Sequence, residues 1–154
     1  MPTTQAPEPT PWKPPWPWWL NLSWAGGIEP WVRLLTRLVV GAYLVWGVLG
    51  PATDPQQMAE FAAYLAGHGF IWPGLMAGLA VYAQVFCGVA FILGLVTRWA
   101  GLLCAILFLV AVVFVEAKAG LRAALPATLL VLIGLDMLAR GPGPFNLRRL
   151  LVGR

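Results

Sequence analysis

Few side chains in this sequence could do chemistry, and most of them fall in one constellation. Arg33 and Arg37 are four apart, as are Asp136 and Arg140, and Arg98 stands alone between two long apolar runs. A four-residue spacing puts both members of a pair on one helix face. Asp136 lies about one turn inside an apolar stretch, where a lone carboxylate is costly, so it should be paired. Arg37, Arg98 and Arg140 are its candidate partners. The expected arrangement is an ionic lock closing one end of a bundle, with arginines also meeting lipid headgroups. The functional alternative is a polar mouth for a quinone or another amphiphile, contacted by Arg37, Arg98, Asp136 and the mid-helix Gln84. Gln84 is polar where the chain is otherwise apolar and needs a hydrogen-bond partner. Helix-to-helix bonding is its plain role and a ligand carbonyl its sharper one. Tyr82, two residues away, points elsewhere.

Other chemistries fit the sequence poorly. One histidine, His68, sits in a Gly-His-Gly turn, and Cys87 and Cys104 are not a Cys-x-x-Cys pair. Metal sites want three or four ligands, so none is expected. The two cysteines fall at depths differing by roughly 6–8 Å, at about 1.5 Å per residue. That strains a disulfide, and both read as small core residues. No nucleophile triad, carboxylate pair or phosphate-cradling glycine loop supports catalysis by this chain alone.

The elements that position these residues follow from hydropathy. Of 154 residues, 60% are hydrophobic and 10% charged, and the mean hydropathy is +0.77. A soluble domain carries about 25% charged residues. A chain this short cannot hide so much apolar surface from water. A bilayer core of roughly 30 Å asks for about 20 apolar residues, and four segments qualify: 31–50, 71–96, 99–115 and 121–139. Pro126 starts the fourth late or kinks it, and Arg122 can snorkel. Between the first two, Asp54-Pro55-Gln56-Gln57 reads as an N-cap, a first-turn proline and a capping-box glutamine. Met58, Phe61, Ala62 and Leu65 then recur at helical spacing, and Gly67 is the expected C-terminal cap. This is a short amphipathic helix lying on the outer membrane surface. The fold expected is all-α, a four-transmembrane-helix bundle (31–140) with that surface helix. It is preceded by an extended Pro/Trp-rich arm (1–30) and followed by a basic tail (141–154).

Residues 1–30 hold eight prolines and Trp12, Trp16, Trp18, Trp19 and Trp24. They lack the basic start and apolar run of a secretory signal. They read either as a tail anchored by tryptophan at the headgroups or as an arm that binds a partner subunit. With the N-terminus inside, Lys13, Arg33, Arg37, Arg98, Arg140, Arg148, Arg149 and Arg154 are all cytoplasmic, against Lys118 and Arg122 outside. The positive-inside rule selects that orientation in a bacterial inner membrane. The basic face suits anionic lipids and not nucleic acid, because the arginines cluster at membrane ends.

The sequence resembles the DoxX family of small four-helix membrane proteins over about 33–151. The resemblance rests on the arginine-led first helix ending in glycines (Arg33 to Gly50) and on the amphipathic loop. It also rests on Gly88-Val89-Ala90-Phe91-Ile92-Leu93-Gly94-Leu95-Val96-Thr97-Arg98 and on Gly141-Pro142-Gly143-Pro144-Phe145-Asn146-Leu147. Relatives often have a glutamate where this chain has Gln84, and a lysine where it reads Gly47-Val48-Leu49-Gly50-Pro51. Their closing Ser-Leu-Asp is matched by Asn146-Leu147-Arg148. The resemblance implies membrane redox work, including quinone-coupled thiosulfate oxidation and thiol redox complexes, and in some relatives an accessory or assembly role. The expectation for this chain is an accessory, non-catalytic subunit of a larger redox-linked membrane complex. A quinone-binding oxidoreductase component is the alternative and a small transporter the third reading. The transporter ranks last because no charge sits at mid-span.

Overall fold

The structure is a computed structural model, and it describes residues 23–115 and 120–145, with backbone only for 23–25 and Leu121. Trp12, Trp16, Trp18 and Trp19, expected to contact a partner, and the tail beyond Phe145 lie outside the described residues, as does the Trp24 side chain.

A 3-10 turn, Ser23–Ile28, leads into α1, Glu29–Thr53. Then come α2, Pro55–Gly67; α3, Pro73–Leu93; α4, Thr97–Phe114; and α5, Leu121–Arg140. Four of these helices (α1, α3, α4 and α5) are long and apolar enough to cross a membrane. At about 1.5 Å per residue, the 21 residues of α3 span about 31 Å, the hydrocarbon thickness of a bilayer.

The helix ends show what stops each element. The second span is shorter than the expected 71–96 because Trp72 and Gly94 both take left-handed backbone (φ 59° and 70°), fixing α3 between them. Val96 is left-handed too (φ 43°) and starts α4 two residues before the expected Trp99. The first helix runs on through Pro51, three residues past the expected Gly50. The fourth span starts at Leu121 and continues through Pro126, so the proline sits inside the helix and does not delay it.

The surface helix forms where the sequence places it, with two local corrections. Asp54 caps α2 by accepting from the Gln56 backbone N–H at 2.9 Å. The capping box does not close as expected, because the Asp54 N–H is already bonded to the Gly50 carbonyl at 2.9 Å. Gln57 turns instead to the Asp54 carboxylate, donating from Nε2 at 3.1 Å. At the other end Gly67 is the last helical residue, and Gly69 takes the left-handed turn (φ 82°) expected of Gly67.

The spanning helices pack in the order α1–α3–α4–α5, and α1 and α5 make no comparable interface. Each outer pair is held by a reciprocal glycine contact. A Cβ on Gly41 would stand 2.7 Å from the Gly88 carbonyl oxygen, and one on Gly88 2.7 Å from that of Gly41. Gly101 and Gly134 repeat this between α4 and α5, at 2.6 and 2.8 Å. In lipid, close packing replaces the hydrophobic drive, so backbone approach at small residues is what joins helices. The core between them holds Leu44, Cys87, Phe91, Ala100, Cys104 and Met137. Both cysteines are buried and free.

Candidate functional site

The arginine-bearing end is arranged differently from the expected ionic lock. Asp136 pairs with Arg140 at 2.7 Å, and the two side chains are 38% and 56% exposed. It does not meet Arg37 or Arg98. This i,i+4 pair on a helix surface is a local contact worth a few tenths of a kcal/mol. Arg33 is likewise paired along its own helix, with Glu29 at 2.5 Å.

Arg37 is instead buried, with 2% of its surface exposed. Its Nε donates to the Phe91 carbonyl at 2.9 Å, and Nη2 to the Ile92 carbonyl at 3.4 Å. Its Nη1 donates to the carbonyls of Pro142 at 2.7 Å and Phe145 at 2.6 Å. Four of the five guanidinium N–H groups are therefore spent on backbone oxygens. Phe91 and Ile92 lie in the last turn of α3, where helical donors run short and the helix dipole is negative; the Phe91 carbonyl keeps one longer bond, from the Gly94 N–H at 3.3 Å. Arg37 thus caps α3 from α1. It also ties down residues 141–145, a strap that leaves α5 and crosses the bundle end to α1.

The strap is fitted from both sides. Gly141 has φ 72° and ψ −166°, a region open essentially to glycine alone. A Cβ there would also approach Arg98 Nε at 3.1 Å. Gly143 packs against the Arg33 side chain, and the Phe145 ring meets Trp31 at 4.9 Å. Arg98 is exposed and lies beside the strap. Thr97, by contrast, is 1% exposed and its hydroxyl has no partner among the described residues.

Gln84 belongs to a different place. Its Nε2 donates to the Leu44 carbonyl at 3.2 Å, joining α3 to α1 as a helix-to-helix bond. It also lines a cavity of about 430 Å³ between α2, α3 and α4, with Phe61, Tyr64, Met76, Leu103 and Ala111 among its walls. Of the four expected contact residues, Arg37, Arg98 and Asp136 reach one end, each with a different neighbour, and Gln84 stands apart. Tyr82 is exposed, away from this cavity's lining. His68 lies at the α2 C-terminus, with Nδ1 2.8 Å from the Tyr64 carbonyl and its ring 4.4 Å from the Tyr64 ring. Among the described residues, no group of three or more His, Cys, Asp or Glu is placed to hold a metal ion.

Sequence reasoning missed the strap, the glycine contacts and the cavity. Gly141 and Gly143 flanking Pro142 were the visible sign of a special backbone there.

The DoxX family model matches residues 32–117, more than half of the chain. The chain belongs to the DoxX family. The match takes in α1 to α4 with the Arg37 position and the cavity, and stops before α5. With four apolar spanning helices, this DoxX protein is a multi-pass membrane protein. No curated protein and no solved structure matches the chain.

Proposed function

We propose that this DoxX protein is an accessory, non-catalytic subunit of a larger, redox-linked membrane complex in a bacterial inner membrane. The observation that carries this reading is the commitment of Arg37. The one buried charge among the described residues holds helix ends and the strap together. A guanidinium with four donors on backbone carbonyls is an architectural part, with little capacity left for a substrate. The neighbouring ion pairs, Glu29–Arg33 and Asp136–Arg140, are closed within their own helices. Redox linkage is what the resemblance to DoxX proteins implies. The complex is supported by the Trp/Pro-rich sequence of residues 1–30, which reads as an arm for a partner subunit. The Phe145 ring meets Trp31 at 4.9 Å, an aromatic pair that joins the strap to the start of α1.

The test is purification from native membranes in mild detergent with the chain tagged. Stoichiometric partners carrying a redox group are expected. A chain that migrates alone, with no partner at stoichiometric yield, overturns the subunit reading.

A further inference from the structure

The cavity beside Gln84 has the shape of a slot one leaflet deep. Its outer rim is set by the end of the bundle where α2 lies, the end at which the Phe70 and Phe114 rings meet at 5.5 Å. From there its walls run down α3 from Met76 to Gln84 and along α4 from Val115 back to Leu103. At about 1.5 Å per residue these tracks are about 12 and about 18 Å long. Half of a hydrocarbon core of roughly 30 Å is about 15 Å. Gln84 closes the bottom at mid-membrane, where its amide N–H is already held by Leu44. Phe61, Tyr64 and Leu65 of α2 roof the outer end.

The slot is continuous with the lipid-facing surface. Leu79, Ile106 and Val110 line it and are also exposed on the outside of the bundle. A volume of about 430 Å³ lies in the range of ligand cavities, and an apolar space left empty forfeits the contacts of its walls. What bathes its opening is hydrocarbon. The outer end adds a preference. Tyr64 lines the outer end, and Glu60, one turn earlier on α2, is exposed on the same side of the helix. Asp54 caps the same helix. α2 carries no basic residue, and Arg122, the described cation at this end, belongs to α5, which does not line the slot, so a phosphate without an accompanying ammonium meets like charge at the α2 rim.

We propose that the α2/α3/α4 slot takes one acyl chain of a zwitterionic phospholipid from the leaflet on the α2 side, with its ammonium facing Glu60. Gln84 then serves as the floor of a lipid site, and α2 as its roof.

The experiment uses the full chain purified in mild detergent and exposed to vesicles of equal phosphatidylethanolamine and phosphatidylglycerol with an isoprenoid quinone added, followed by delipidation and native mass spectrometry. One phosphatidylethanolamine per chain is expected to survive. Ala83→Trp and Ala111→Trp fill the slot from two helices and should cut retention about tenfold by steric exclusion, while Ala42→Trp on the lipid face of α1 should not. Unchanged retention in both slot variants overturns the proposal, as does preferential retention of phosphatidylglycerol or of an isoprenoid quinone. Should the tryptophan variants fail to fold, the wild-type chain decides. A phosphatidylethanolamine with a photoreactive acyl chain should label 76–84 and 103–115, and adducts spread evenly over all four spans overturn it. Neither readout depends on a partner subunit, so the subunit reading stands or falls separately.

Discussion

Arg37 and Val96 show how single positions set this structure, one by bonding and one by strain. Replacing Arg37 with methionine keeps the length but removes the donor to the carbonyls of Ile92, Pro142 and Phe145 and leaves that of Phe91 only the Gly94 N–H at 3.3 Å. Hydrogen bonds to a charged donor contribute about 1.5–3 kcal/mol each, so a loss of at least about 3 kcal/mol is expected, read as thermal unfolding in detergent. Arg37→Lys should recover only part, because a point charge cannot serve carbonyls on two elements as the planar fork does. Equal stability in both variants would refute the clasp. Val96 is the opposite case. A β-branched residue at φ 43° is a backbone outlier, and such strain costs of order 1–3 kcal/mol. Val96→Gly should therefore raise the melting temperature, by an amount worth about 1 kcal/mol after glycine's extra unfolded-state entropy is subtracted. A fall would show that the Val96 side chain contributes more than its backbone costs. Neither role was legible beforehand. Arg37 looked like a partner for Asp136 because sequence displays charges, whereas its true partners are main-chain oxygens that every residue possesses.

The helices themselves were legible, because a run of apolar residues long enough to cross a bilayer has few alternatives. Asp54-Pro55 was equally plain as a helix start. What hydropathy does not carry is which faces meet. Gly41 and Gly88, and Gly101 and Gly134, are unremarkable when read along the chain and acquire meaning only across an interface. At 2.6–2.8 Å the obstacle to a Cβ is a backbone oxygen, which cannot swing aside. Gly88→Ala and Gly134→Ala should each destabilise by about 1–3 kcal/mol through overpacking. Gly78→Ala meets nothing within 4 Å and should be neutral or slightly stabilising, since alanine is the better helix former. The α2 cap gives a smaller, local effect. Asp54→Ala should cost about 1 kcal/mol and show first as faster hydrogen exchange across 56–58, with the spans unaffected. Exchange rising equally in α3 would mean α2 and the bundle open together.

For the whole molecule, the strap makes one end of the bundle chemically unlike the other. One end carries Glu29, Arg33, Arg37, Arg98, Asp136 and Arg140; the other carries α2 with Asp54 and Glu60. Among these described residues the first end is net positive and the second net negative, and Arg122 at the start of α5 offsets part of the second. Adding the residues known from sequence alone, the bias in Lys and Arg is eight to two. Cationic loops resist translocation, so the strap end is expected in the cytoplasm and α2 outside. The arrangement supplies its own assay, because Cys87 and Cys104 are fully buried and compete little for a thiol reagent. Gln56→Cys, exposed on α2, should react with a membrane-impermeant maleimide in intact cells. Arg140→Cys, exposed at the strap end, should react only after the cells are opened. The reverse pattern would place the strap outside. The partner complex would then have to be sought on that face, because the corner where Phe145 meets Trp31 would no longer face the cytoplasm.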